Sequence, residues 1–354
     1  MPKTINETKY FQAVGMIRSL INELPSGEFV PIASNLENEF KLSHGTVIYA
    51  LKTLSAEGTI VRPWGRKRYI VADKIARVAA RIAMIRPDYP SYDLDTITHK
   101  IYAIGKARNW KFEQFSFRSW EELDITAIAE RVDGIILIPS SEILSQEFLH
   151  ALQKPKRPVI ILMEHVENKK ILNVCADDFE VGQLAAKTLY DLGHRRVLFI
   201  KDQPSESTME ERRAGFLNAQ QVLKMDMDDE LFLDVQLQPF EDAQDQSYIA
   251  LTELINTTKI NFTAIFSASL SGAVATLRVM REHKIKVPEE MKILAFSGES
   301  KLTSYLCPAL SSIEIDMEDY GQCTVSLLEN ALNGNINQEC QKKLKPQLVT
   351  RETT

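Results

Sequence analysis

The chain has 354 residues, 44% of them hydrophobic and 25% charged, the composition of a soluble globular protein of two or three domains. Its net charge of −6 argues, taken alone, against nucleic-acid binding, but residues 1–72 hold nine Lys/Arg against six Asp/Glu, so a basic head precedes an acidic remainder. The four cysteines are scattered without a C-x-x-C pair, no apolar run approaches the ~20 residues of a membrane span, and Met1-Pro2-Lys3-Thr4 opens no secretory signal, so a reduced cytoplasmic setting is expected.

Phe11, Val14, Ile17, Leu20, Ile21 and Leu24 recur at helical spacing, and Pro25-Ser26-Gly27 ends that first helix. A second helix starts near Ser34 and turns Leu36 and Phe40 inward. Ser43 is suited to cap a third helix, with Val47, Ala50, Leu51 and Leu54 on its buried face. The opposite face carries His44, Gly45, Ile48, Tyr49, Lys52 and Thr53. Gly58 closes the helix in a positive-φ turn. Thr59–Arg62 and Arg68–Val71 alternate as a two-stranded ribbon, with Gly65 at its turn and Arg66, Lys67 and Arg68 at its tip. Three helices and a charged ribbon in this order are the parts of a winged helix-turn-helix. The expected DNA-contacting residues are Ser34, Ser43, His44, Thr46, Tyr49, Arg62, Arg66, Lys67 and Arg68.

The run from Ser43 and Thr46-Val47 through Ala50-Leu51 and Leu54 to Glu57-Gly58, with Gly65 beyond, resembles the GntR-type winged helix. It departs from that family at Gly27 to Ser34, where an LPSE segment is usual, at His44 and Ile48, where basic residues are common, and at Lys67, which replaces a glycine. The fold implied by the resemblance survives these changes; the family's base contacts do not carry over.

Residues 73–79 form a short connector without Gly or Pro. From residue 80 the chain alternates apolar strands with amphipathic helices. Strands are expected at Arg81–Arg86, Glu113–Phe117, Gly134–Ile138, Val159–Met163, Val197–Ile200, Leu231–Val235, Ala264–Ser267 and Lys292–Phe296. Helices are expected at Ile97–Arg108, Val181–Leu192, Ser247–Ile255 and Gly272–His283. Such a pattern predicts an α/β body with parallel sheets covered on both sides, split into two lobes, and a ligand at the strands' carboxyl ends.

Val132-Asp133-Gly134-Ile135-Ile136-Leu137-Ile138-Pro139-Ser140, Leu192-Gly193-His194-Arg195-Arg196-Val197, Arg212-Arg213-Ala214-Gly215-Phe216 and Cys307-Pro308-Ala309-Leu310-Ser311-Ser312-Ile313 follow in register. They make residues 80–354 resemble the LacI/GalR ligand-binding domain, which is built like a periplasmic binding protein. A GntR-like head on such a body resembles the arabinose-repressor architecture. The resemblance implies ligand contacts at Arg212, at Asp178 in the segment where D-N-x-x-G is usual, at Phe240 and at Tyr92. In the second lobe Ala268-Ser269-Leu270 stands where A-N-D is common, and Ala295-Phe296-Ser297-Gly298 lacks the acid of G-[FY]-D. Ser269 and Ser297 are the remaining polar candidates. Either the cleft takes a different ligand, more apolar or anionic because Arg212 lacks a neighbouring carboxylate, or effector control is weakened; the first is favoured.

No H-E-x-x-H, G-x-S-x-G or P-loop pattern occurs, so neither metal, cofactor nor catalytic residue is expected. The sequence predicts a homodimeric DNA-binding regulator, a repressor of carbohydrate-related genes, that binds a double-stranded operator and a sugar-like effector and has no membrane partner. The alternatives are a regulator with a silent cleft controlled by a partner protein, a solute-binding protein, and an α/β enzyme with an accessory DNA-binding head.

Overall fold

The computed structural model describes residues 4–62, 68–72, 80–89, 91–139, 144–152, 157–168, 170–203, 206–238, 240–298, 301–334 and 340–354. The chain divides into two units, Met1–Arg81 with Gly105–Lys111, and Ile82–Ile104 with Phe112–Thr354. The connector 73–79 and the ribbon-tip residues Arg66 and Lys67 lie outside the described residues.

The head is built from α1 (Thr4–Glu23), α2 (Ala33–Phe40), α3 (His44–Ala56), β1 (Ile60–Val61) and β2 (Ile70–Val71). Val14, Ile17 and Ile21 of α1 meet Leu36 of α2 and Val47, Ala50, Leu51 and Leu54 of α3 in one core. Ser43 caps α3, its hydroxyl accepting from the Thr46 N–H, and Gly58 follows the helix at φ +73°. β1 and β2 are antiparallel, and Phe29 bridges to Ile70 on the other side. The ribbon strands are two residues each, shorter than the alternation suggested.

The body runs through β3 (Ala80–Pro87), α4 (Tyr92–Ala107), β4 (Trp110–Phe117), α5 (Ile125–Arg131), β5 (Gly134–Leu137), α6 (Gln146–Leu152), β6 (Val159–Leu162) and β7 (Leu172–Ala176). There follow α7 (Asp178–Asp191), β8 (Val197–Lys201), α8 (Glu206–Leu223), β9 (Phe232–Asp234), α9 (Ala243–Thr257), β10 (Ala264–Ser267), α10 (Leu270–Glu282) and β11 (Lys292–Gly298). The chain closes with α11 (Lys301–Tyr305), β12 (Ser311–Ile315), α12 (Met317–Leu332), β13 (Gln341–Leu344) and β14 (Gln347–Val349).

Two six-stranded sheets result, ordered β13-β7-β6-β5-β3-β4 and β14-β12-β11-β10-β8-β9. Each is the centre of one lobe. The chain passes between lobes at Asp177, at Asp316 and at Lys345-Pro346, where strands of one sheet hand over to elements of the other. Asp177 and Asp316 cap the helices that follow, accepting from the N–H groups of Glu180 and of Glu318 and Asp319. The Asp177 N–H also donates to the Leu344 carbonyl, tying two crossings together at 2.9 Å. β14 runs antiparallel to β12, an exception to the all-parallel expectation. The strands β7 and β12 and the crossing strands β13 and β14 are absent from the sequence reading; their apolar signal is too short to stand out.

In the second lobe α7 and α8 touch at two glycines. A Cβ on Gly182 would strike the Arg212 carbonyl, and one on Gly215 would strike the Phe179 carbonyl. This close crossing brings Asp178, at the start of α7, beside Arg212 of α8.

Candidate functional site: a charged interlobe cleft and an exposed helical face

A cavity of about 340 Å³ lies between the two lobes of the body. Its walls come from the carboxyl ends of the strands and the helix starts that follow them, the position expected for a ligand in an open α/β sheet. The first lobe contributes Tyr89, Asp93, Ile138 and Glu164, the second Asp178, Arg212, Phe240 and Phe296.

Arg212 is the centre of the cavity wall. It is 4% exposed and Asp178 is 2% exposed. Arg212 Nε donates to Asp178 Oδ1 at 3.0 Å, Nη2 donates to the same oxygen, and Nη1 donates to the Ala268 carbonyl. The guanidinium lies 3.8 Å from the centre of the Phe296 ring. The expectation that Arg212 lacks a neighbouring carboxylate is therefore corrected: the partner comes from α7, 34 residues away in sequence, rather than from the second-lobe strand ends. With it falls the basis for an anionic ligand.

Behind this pair Asp202, at the end of β8, is fully buried. Its Oδ2 accepts from the Ser269 hydroxyl and, at 2.7 Å, from the Gly272 N–H. Its Oδ1 has no hydrogen-bond partner. Burial pushes its carboxyl up to about 6, against the pull of the Ser269 and Gly272 hydrogen bonds. Burial also raises Asp178, more than the Arg212 charge lowers it, and raises Asp93, whose carboxylate accepts from the Gly298 backbone.

Asp93 stands on the first lobe and Gly298 on the second, so this hydrogen bond joins the lobes. Lys343 of β13 reaches Glu211 of α8 at 3.1 Å, with His165 3.9 Å from the same carboxylate, and the Thr208 hydroxyl lies 3.5 Å from Glu164. Tyr320 of α12 fixes the first-lobe wall: its hydroxyl accepts from Met163 N–H and donates to the Val174 carbonyl, both at 2.7 Å. Met163 and Phe240, both in the wall, hold φ of +64° and +68°, a backbone region costly for residues with a Cβ.

Of the expected ligand residues, Asp178, Arg212, Phe240 and Ser269 line the cavity. Ser269 does so as the cap of α10, its hydroxyl already committed to Asp202 and Gly272. Tyr92 and Ser297 are not among the lining residues. Tyr92 is 47% exposed on the first turn of α4, and the aromatic facing the cavity is Tyr89, which meets Phe240 edge-on at 6.0 Å. Ser297 is fully buried with an unpartnered hydroxyl; strand alternation turns its neighbours Phe296 and Gly298 toward the cavity instead. Sequence reasoning missed Asp93, Glu164 and Asp202. Asp202 had a usable signal, a lone acid at the carboxyl end of an apolar strand; Asp93 and Glu164 had none.

In the head, Ser34, Ser43, His44 and Tyr49 are exposed and Thr46 is half-buried. His44 Nδ1 pairs with Glu37 Oε1 at 2.7 Å, and the Tyr49 ring meets Tyr10 at 4.8 Å. Arg62 and Arg68 are each held over an aromatic ring, Tyr69 and Phe29, at 4.6 Å. The described residues thus present a polar and aromatic face on α3 and, on the ribbon, two ring-supported guanidiniums. Among the described residues no helix is long and apolar enough to cross a membrane, and no group of three or more His, Cys, Asp or Glu could hold a metal ion.

Two lobes, three crossings and a cleft at the strand ends make up the body, and residues 186–354, just under half of the chain, match the family described as "Periplasmic binding protein-like domain". The chain is 24% identical over 225 residues to the HTH-type transcriptional repressor PurR of Aliivibrio fischeri, a match covering 63% of this chain and 65% of that protein. The alignment therefore spans just under two thirds of that relative. Among solved structures, the transcription regulator CcpA of Lactococcus lactis superposes with a TM-score of 0.68 at 22% identity, covering 77% of this chain and 98% of that one. The transcriptional regulator CelR in complex with cellobiose gives 0.67 at 20% identity, covering 89% and 92%. These structural likenesses establish the fold.

Proposed function

We propose that the chain is a ligand-responsive transcriptional repressor that acts in the cytoplasm as a homodimer. Residues 1–72 are a GntR-type winged helix-turn-helix that binds an operator, residues 73–79 a linker, and residues 80–354 the sensor. The observation that carries the reading is the pairing of two unlike sites on one chain: an outward, partly basic α3 face and a walled cavity of about 340 Å³. The relative named as an HTH-type transcriptional repressor supports it.

In mechanism, the side chains around His44 and Tyr49 enter a major groove, while Arg62, Arg68 and the ribbon tip hold phosphates. A dimer would read half-sites about one helical turn apart, or a multiple of that. The effector binds between the lobes and shifts their balance, since Asp93–Gly298 and Lys343–Glu211 join the lobes at groups on or beside the cavity wall. A coupling of this kind is typically about 1–3 kcal/mol.

Footprinting on the DNA upstream of the protein's own gene tests the reading. A protected, roughly palindromic site is expected, with Arg68→Ala weakening binding and reducing the salt slope by about one. Absence of protection at low salt, or an Arg68→Ala protein with unchanged affinity and slope, would refute it.

A further inference from the structure

The cavity is an unbalanced electrostatic environment. Asp93, Glu164, Asp178, Glu241 and Asp242 line it, and among the described residues Arg212 is the one Lys or Arg of its lining. That single positive charge is already engaged: all three guanidinium nitrogens donate to Asp178 or the Ala268 carbonyl, and the flat face rests on Phe296. Among the described residues, a carboxylate or phosphate ligand would find no uncommitted cation and would face four further carboxylates. Ionised carboxylates are acceptors without donors, so the complementary ligand is rich in donors and carries positive charge.

The aromatic walls point the same way. Phe296 already holds a cation at 3.8 Å, in Arg212, and Tyr89 and Phe240 form an edge-to-face pair in the same cavity. Ring faces attract cations most strongly where water is excluded. The four carboxylates other than Asp178 are graded in depth. Asp93 and Glu164 are half-buried, whereas Glu241 and Asp242 are exposed. Asp242 caps α9 and Glu241 accepts from the Gln238 N–H at 2.9 Å, so both outer acids are held in place rather than free to swing away.

We propose that the cleft selects a small organic cation, a protonated amine carried on a body with hydroxyl or apolar groups, over the neutral or acidic compound of the same shape. This deepens the sensor reading and rests on it. The outer acids draw the ammonium in, and Asp93 and Glu164 accept its N–H bonds while the aromatic walls cover its body. The burial that raises Asp93 is offset by such a ligand, because it brings positive charge to that carboxylate.

The test is calorimetric titration and thermal shift of the full-length protein against glucosamine, glucose and glucuronate, and against agmatine and spermidine. Glucosamine, or one of the acyclic amines, should bind, and the best amine should bind at least about tenfold tighter than the neutral or acidic members. Glu241→Gln should reduce that preference several-fold. Tighter binding of glucose or glucuronate, no binding by any amine, or an amine preference untouched by Glu241→Gln together with Asp93→Asn would overturn the proposal. Footprinting without ligand reads the regulator proposal separately, so the two failures are distinguishable.

Discussion

The His44 side chain of the head is 72% exposed and pairs with a single acid, whereas Arg212 and Asp178 of the cleft are 4% and 2% exposed and engage one another, a carbonyl and an aromatic ring. In the head, polar side chains stand on an apolar core that needs none of them. In the body, the polar groups of the site are also part of the core. Substituting the head's outward residues should therefore change binding with little effect on folding, while substituting the cleft's residues should change both.

The largest expected effect is at Arg212. Arg212→Ala leaves Asp178 buried without its partner, and the body should lose about 3–5 kcal/mol in denaturant unfolding. Replacing the pair together, Arg212→Met with Asp178→Leu, should recover most of that loss, because no charge is then left stranded. A double variant as unstable as Arg212→Ala would mean that the pair's geometry, not its charge, holds the site.

Asp202 gives the next effect, and it depends on pH. Its folded-state carboxyl sits at about 6, above the ordinary value of 3.8, so between these values the folded protein holds a proton that the unfolded chain has released. Stability from this group is then greatest at the acid end and falls as pH rises from about 4 to about 6, by up to about 3 kcal/mol. Asp202→Asn should flatten this segment of the pH–stability curve. A curve with the same slope in both proteins would assign the effect elsewhere.

The smallest effect belongs to the head. Ser43→Ala removes the α3 cap and should cost about 1 kcal/mol of head stability while leaving ligand binding by the body unchanged. Tyr49→Ala should move stability by at most about 0.5 kcal/mol yet weaken operator binding. If Tyr49→Ala unfolded the head, its packing on Tyr10 would be structural and the contrast between the two regions would fail there.

The two regions also differ in how far they can be read from the chain. Ser43 as a cap, Gly58 as a positive-φ stop, and Val47, Ala50, Leu51 and Leu54 as a buried face all follow from local rules, and each is in place. The strands at Ala264–Ser267 and Val159–Leu162 were legible because they are short apolar runs between helices. β13 reads as Gln-Lys-Lys-Leu and has no such signal; it is a strand because β7 offers it a parallel edge. Ser297 illustrates the same limit at the site: its place in a motif was visible, but the side of the sheet it faces was not.

By itself the sequence determined the periodicities, caps and turns, and hence a helical head followed by an α/β body, because these depend on residues within a few positions of one another. The tertiary structure decided the electrostatics of the cleft. Asp93, Asp178 and Arg212 are far apart in the chain, and their charges acquire meaning only when folding brings them together and removes the water between them.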